Sequence, residues 1–86
     1  MHDLHLANQT LKIILEYAQQ NKLKKVTRAV IELGSIFEHG EEIAPENLEF
    51  NIKMLAKKTL AQGLEVKIDR IEGNSWVLKE IEGENL

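Results

Sequence analysis

Leu4, Ala7, Leu11, Ile14, Leu15 and Ala18 recur at the three-and-four spacing that gathers residues on one face of a helix. A second stripe of the same kind, Leu48, Ile52, Leu55, Ala56, Thr59 and Leu60, lies later in the chain, and the run from Val26 to Ile36 between them is rich in β-branched residues. Two apolar helix faces must be buried, and 86 residues hold a single core. A sheet one face of which both helices can share meets that demand.

The first helix is predicted over about residues 4–20, with Asp3 where an N-cap belongs and Asn21 offering a residue tolerant of the left-handed C′ conformation. The first strand places Thr27, Ala29, Ile31 and Leu33 on one face and Val26, Arg28, Val30 and Glu32 on the other. Gly34 to Ala44 has no sustained period and reads as a loop ending at Pro45, a favoured first helical residue. The second helix then runs to about Gln62, where Gly63 ends it and Leu64 supplies the contact that follows such a cap.

Two further strands meet at Gly73-Asn74, a two-residue hairpin turn that pairs Glu72 with Ser75 and puts Ile71 opposite Trp76, Arg70 opposite Val77, Lys67 opposite Glu80 and Val66 opposite Ile81. This register gives Leu64, Val66, Ile68, Val77 and Ile81 one face, which should meet the helices. Glu65, Lys67, Asp69, Glu80 and Glu82 take the other, together with an apolar group of Ile71, Trp76 and Leu78. That group is expected either to contact a partner or a second copy of the chain, or to be solvated. Gly83 to Leu86 is expected to fray. The fold class is α+β, a two-layer sandwich of order αβαββ with both helices on one face of a mixed three-stranded sheet, and residues 1–86 form a single domain.

Composition narrows the function. Cysteine is absent, so disulfides, thiolate zinc sites and cysteine nucleophiles are excluded and no zinc site is expected. The net charge is −3, and the basic cluster Lys22, Lys24, Lys25, Arg28 lacks aromatic interleaving, so it reads as a solvated surface and no nucleic-acid partner is expected. No apolar run has membrane-spanning length and no leader pattern opens the chain, which makes a cytoplasmic location the expectation. No nucleophile-base motif or glycine-rich phosphate loop points to an enzyme.

The chain opens Met1-His2-Asp3-Leu4-His5. An imidazole at position 2 can join the terminal amine and the intervening backbone nitrogen on one ion, a nitrogen-rich set suited to Ni(II) or Cu(II). The side chain of His2 is too large for ordinary removal of the initiator Met, so the amine is expected to survive. Binding should strengthen as pH rises, because the imidazole must be neutral and the amine must lose its proton. The plain reading beside it is a solvated terminal His with Asp3 serving only as a cap; His5 reads as a solvated first-turn residue.

The Met1-His2-Asp3-Leu4 start, the helix Leu11 to Ala18, the strand Lys25 to Gly34, the helix start Pro45-Glu46-Asn47-Leu48-Glu49-Phe50 and the segment Thr59 to Val66 together resemble the nickel-binding domain of the HypA/HybF hydrogenase-maturation metallochaperones. The resemblance implies a nickel carrier for [NiFe]-hydrogenase assembly, and in some lineages for urease, working with the GTPase HypB and the hydrogenase large subunit. It implies Ni(II) held by the Met1 amine, the His2 ring and backbone nitrogen, and residue 3, where Asp3 replaces the family's usual Glu. A short turn near 73–75 stands where the family carries a zinc domain. A scaffold of this kind could also serve as a protein-interaction or regulatory module with little nickel delivery.

Overall fold

The computed structural model describes residues 4–38 and 40–85. The chain runs through helix α1 (Leu4–Gln20), strand β1 (Leu23–Leu33), a ribbon of β2 (Phe37–Glu38) and β3 (Glu41–Glu42), helix α2 (Pro45–Leu55), strand β4 (Glu65–Arg70) and strand β5 (Trp76–Asn85). The expected α+β sandwich is found: two helices over a mixed three-stranded sheet. Leu6, Ala7, Leu11, Ile14 and Ala18 of α1 and Leu48 and Ile52 of α2 form one core with Ala29, Ile31 and Leu33 of the sheet. Each fully buried aliphatic side chain here contributes about 1.5–3 kcal/mol, which makes these stripes the main reason the two layers hold together. Among the described residues, no helix is long and apolar enough to cross a membrane.

The sheet order is β4-β1-β5, with β1 parallel to β4 and antiparallel to β5. The crossover through α2 makes β1 and β4 parallel neighbours, as a strand-helix-strand unit favours. The expected hairpin between the last two strands does not form. Both flank β1 instead, and the turn at 71–75 arches over its end: Ile71 N–H donates to Leu33 O (3.0 Å), Gly34 N–H to Ser75 O (2.8 Å) and Ser35 N–H to Gly73 O (2.8 Å). Placing the most apolar strand in the middle pairs its backbone on both edges, which a hairpin beside it would not do.

The changed register moves side chains across the sheet. On β5, Val30 pairs with Glu80 but Ile31 pairs with Leu78, so Lys79 is an extra, bulged residue. A one-residue bulge reverses the alternation, and Trp76, Leu78 and Ile81 therefore all pack against the core, opposite Leu33, Ile31 and Ala29. Val77, expected inside, is 48% exposed. A second bulge between Val26 and Arg28 turns Val26 into the core, although simple alternation puts it on the far face. Strand β5 also continues through Gly83 to Asn85, pairing with Val26, Lys25 and Leu23, where fraying was expected.

Three local expectations are corrected. Lys22, not Asn21, takes the left-handed conformation after α1 (φ 58°), while Asn21 Nδ2 donates to Tyr17 O at 2.8 Å. Helix α2 starts at Pro45 as expected but stops at Leu55, because Thr59 folds back: its hydroxyl donates to Ala56 O (2.6 Å) and accepts from Ala61 N–H (3.0 Å). Leu60 thereby leaves the buried stripe, and its carbonyl accepts from Val26 N–H at 2.9 Å. The stretch Gly34 to Ala44, expected to be a loop, contains the β2-β3 ribbon, which delivers Ile43 to the core, fully buried.

Candidate functional site

Met1, His2 and Asp3, the residues proposed for metal, lie outside the described residues, as does His39. What is described is the helix that follows them. Leu6 and Ala7, in the first turns of α1, are 3% and 0% exposed, so the segment carrying the candidate ligands joins a helix end locked into the core. His5 is exposed on that helix, near Asn8, Gln9 and Lys12. Among the described residues, no group of three or more His, Cys, Asp or Glu side chains is placed to hold a metal ion.

The sheet end beyond Leu33 gathers several polar groups. Arg70, the last residue of β4, donates through Nη2 to Glu42 Oε2 at 2.9 Å, tying the ribbon to the sheet across 28 positions of sequence. The hydrogen bond from Arg70, a second from the Ser35 side chain and the nearby positive charge hold the Glu42 carboxyl below its ordinary pKa, against a smaller desolvation effect. Glu38 Oε1 is buried with no hydrogen-bond partner among the described residues. The turn 71–75 closes this end, and Gly34 is buried beneath it.

The sheet face away from the helices is charged. Arg28 is its hub: Nη1 lies 2.9 Å from Glu82 Oε2 and 3.4 Å from Glu80 Oε2, and Nε lies 3.8 Å from Glu65 Oε1. The hydrogen bond with Glu82, supported by the charges of Glu82, Glu65 and Glu80, raises the already high pKa of the guanidinium against desolvation. Arg28 is thus drawn away from the lysines beside it in sequence and into an acidic cage on β4 and β5. Val30, 5% exposed, sits on this face between Lys67 and Glu80 in register.

Ile71, Trp76 and Leu78 do not form the apolar group expected on that charged face. Trp76 and Leu78 lie half-buried against the core on the helix side, and Ile71, half-buried, extends the pairing of β4 past Arg70. The bulge at Lys79 is the cause, and no turn signal near Gly73 could have revealed it. Lys22 and Lys58, distant in sequence, come from separate loops to the rim of one groove, a juxtaposition that no local sequence signal gives.

Residues 1–79 match the family described as "Hydrogenase/urease nickel incorporation, metallochaperone, hypA". The hydrogenase maturation factor HypA of Pectobacterium atrosepticum is 32% identical over 76 residues, covering 88% of this chain and 62% of that protein. The hydrogenase maturation factor HypA of Thermococcus onnurineus is 31% identical over 91 residues, covering 96% of this chain and 63% of that protein. The chain therefore spans somewhat under two thirds of the length of these relatives. The fold is that of the solution structure of the Ni metallochaperone HypA from Helicobacter pylori, with a TM-score of 0.73 at 11% identity over the whole of both chains. With a family match that takes in α1, β1, α2, β4 and the start of β5, and the same fold in a solved HypA, this chain belongs to the HypA family of metallochaperones.

Proposed function

We propose that this chain carries nickel for hydrogenase maturation, taking Ni(II) as cargo through the amino-terminal Met1-His2-Asp3 segment. The observation that carries the reading is the family match over residues 1–79, which includes that segment. The chemistry agrees with it. The Met1 amine, the backbone nitrogen and ring of His2, and residue 3 make a compact nitrogen-rich set for a tetragonal ion, one that adjacent residues can supply without a folded pocket. The buried first turns of α1 give that segment a fixed anchor. A HypB-type GTPase and the hydrogenase large subunit are the partners this reading entails, in the cytoplasm, with urease as a further client.

The test is a calorimetric nickel titration of the protein with its native amino terminus, beside a form extended by a few residues before Met1, His2→Ala and His39→Ala. Extension and His2→Ala should each weaken binding by at least about tenfold, or about 1.4 kcal/mol. His39→Ala should change little. Equal affinities in all four proteins would refute the amino-terminal chelate, and the absence of any nickel binding by the native form would refute the carrier reading.

A further inference from the structure

At the end of the molecule where α1 hands over to β1, Leu15, Leu23 and Leu60 floor an open groove of about 530 Å³, and Lys22 and Lys58 stand on its rim. Leu60 is 39% exposed, the outcome of the early stop of α2. Lys24 and Lys25 line an adjoining hollow with Thr59 and Leu60. None of these lysines forms an ion pair among the described residues, whereas Arg28, Arg70, Lys53 and Lys79 all do. Lys12, Lys57 and Lys67 are likewise without an ion pair among the described residues, but four of these seven lysines stand together around one apolar groove.

The backbone at the rim strengthens the point. Lys22 and Lys58 have φ of 58° and 67°, and they are the only non-glycine residues in the left-handed region among the described residues. An L-residue pays a steric cost there that glycine does not. Lys22 takes the left-handed conformation that commonly ends a helix and Lys58 takes it in the turn after α2, and the two turns present both lysines at the same groove. The lysine stems can lie along the leucine floor while the ammonium groups stay in water.

We infer that this groove is a docking site for an acidic peptide segment of a partner protein, its carboxylates meeting Lys22, Lys24, Lys25 and Lys58 and its apolar side chains resting on Leu15, Leu23 and Leu60. Charge complementarity selects this occupant. A nucleic acid would find no aromatic side chain lining the groove on which to stack a base. A lipid surface favours a protruding apolar face, and this one is recessed.

A fluorescein-labelled peptide of glutamate and leucine, titrated by anisotropy, tests the inference. Its controls are the same peptide with lysine in place of glutamate and vesicles of phosphatidylserine and phosphatidylcholine. The acidic peptide should bind, should shift the amide resonances of Leu15, Leu23 and Leu60, and should weaken as salt is raised. The double variant K22G/K58G keeps the left-handed backbone while removing two charges. It should melt no lower than the parent yet bind the peptide about tenfold more weakly. Leu60→Ser, at a half-exposed position, should weaken binding through the floor alone. No binding of the acidic peptide, binding unchanged by K22G/K58G, or binding of the vesicles in its place would each overturn the inference. The measurement needs no nickel, so its result stands apart from the test of the carrier function.

Discussion

Replacing Gly34 by Ala should destabilise the protein sharply, although the same change in open surroundings would do the opposite. The φ of Gly34 lies outside the left-handed region, and there glycine to alanine ordinarily stabilises by about 0.4–1 kcal/mol by trimming the freedom of the unfolded chain. At this position, however, the new Cβ would stand 2.6 Å from Gly73 O, 2.7 Å from Ser75 O and 3.0 Å from the Gly73 carbonyl carbon. All are backbone atoms, so no side chain can rotate away. The two oxygens are also the acceptors for Ser35 N–H and Gly34 N–H, and the turn 71–75 must lift off both to admit the methyl group. Losing two backbone hydrogen bonds costs about 1 kcal/mol each. Residual crowding adds roughly 1–3 kcal/mol. The sum, less the entropic gain, is about 2–4 kcal/mol, which for a domain of this size lowers Tm by on the order of 10–30 °C. Urea unfolding followed by far-ultraviolet circular dichroism should show the midpoint falling at constant slope. A midpoint unchanged or raised would mean that the turn does not rest on Gly34, and the account of how β4 and β5 straddle β1 would fall with it.

Trp76 should behave as a core-supporting residue: Trp76→Ala should cost about 1–3 kcal/mol, less than a fully buried Trp, and the emission of this single tryptophan should shift to the red on unfolding. Loss of partner binding or self-association with unchanged stability would show instead that its exposed part is what matters. The Glu42 carboxyl should titrate below the ordinary glutamate range, and Arg70→Gln should move it back up, as followed by carboxyl carbon resonances against pH. Its folded pKa lies below the unfolded one, so the stability it lends is complete above the unfolded value and is lost as pH falls through the folded value. An unchanged Glu42 titration in Arg70→Gln would contradict that cause.

The helices and the strand that runs between them were legible because their signals are local. The three-and-four spacing of Leu11, Ile14 and Ala18 works whatever the helix packs on, and Pro45 starts a helix by its own fixed φ. The family was legible for a related reason: the runs that carry it are contiguous. The sheet order was not, since Gly73 and Asn74 encode only a reversal of the chain. Whether the strands they join pair with each other or on either side of β1 depends on what β1 gains when both its edges are bonded and its side chains buried. The bulge at Lys79 follows from that choice, and it alone decides that Trp76 and Leu78 meet the core while Val77 meets solvent. The lysine-rimmed groove belongs to the tertiary structure in the same way. Lys22 and Lys58 are distant in sequence, and each looks like an ordinary surface charge until α1, β1 and the turn after α2 bring them to one apolar floor. Local patterns fix which face of an element is apolar; which elements become neighbours is settled by the long-range burial and backbone pairing that only the assembled core provides.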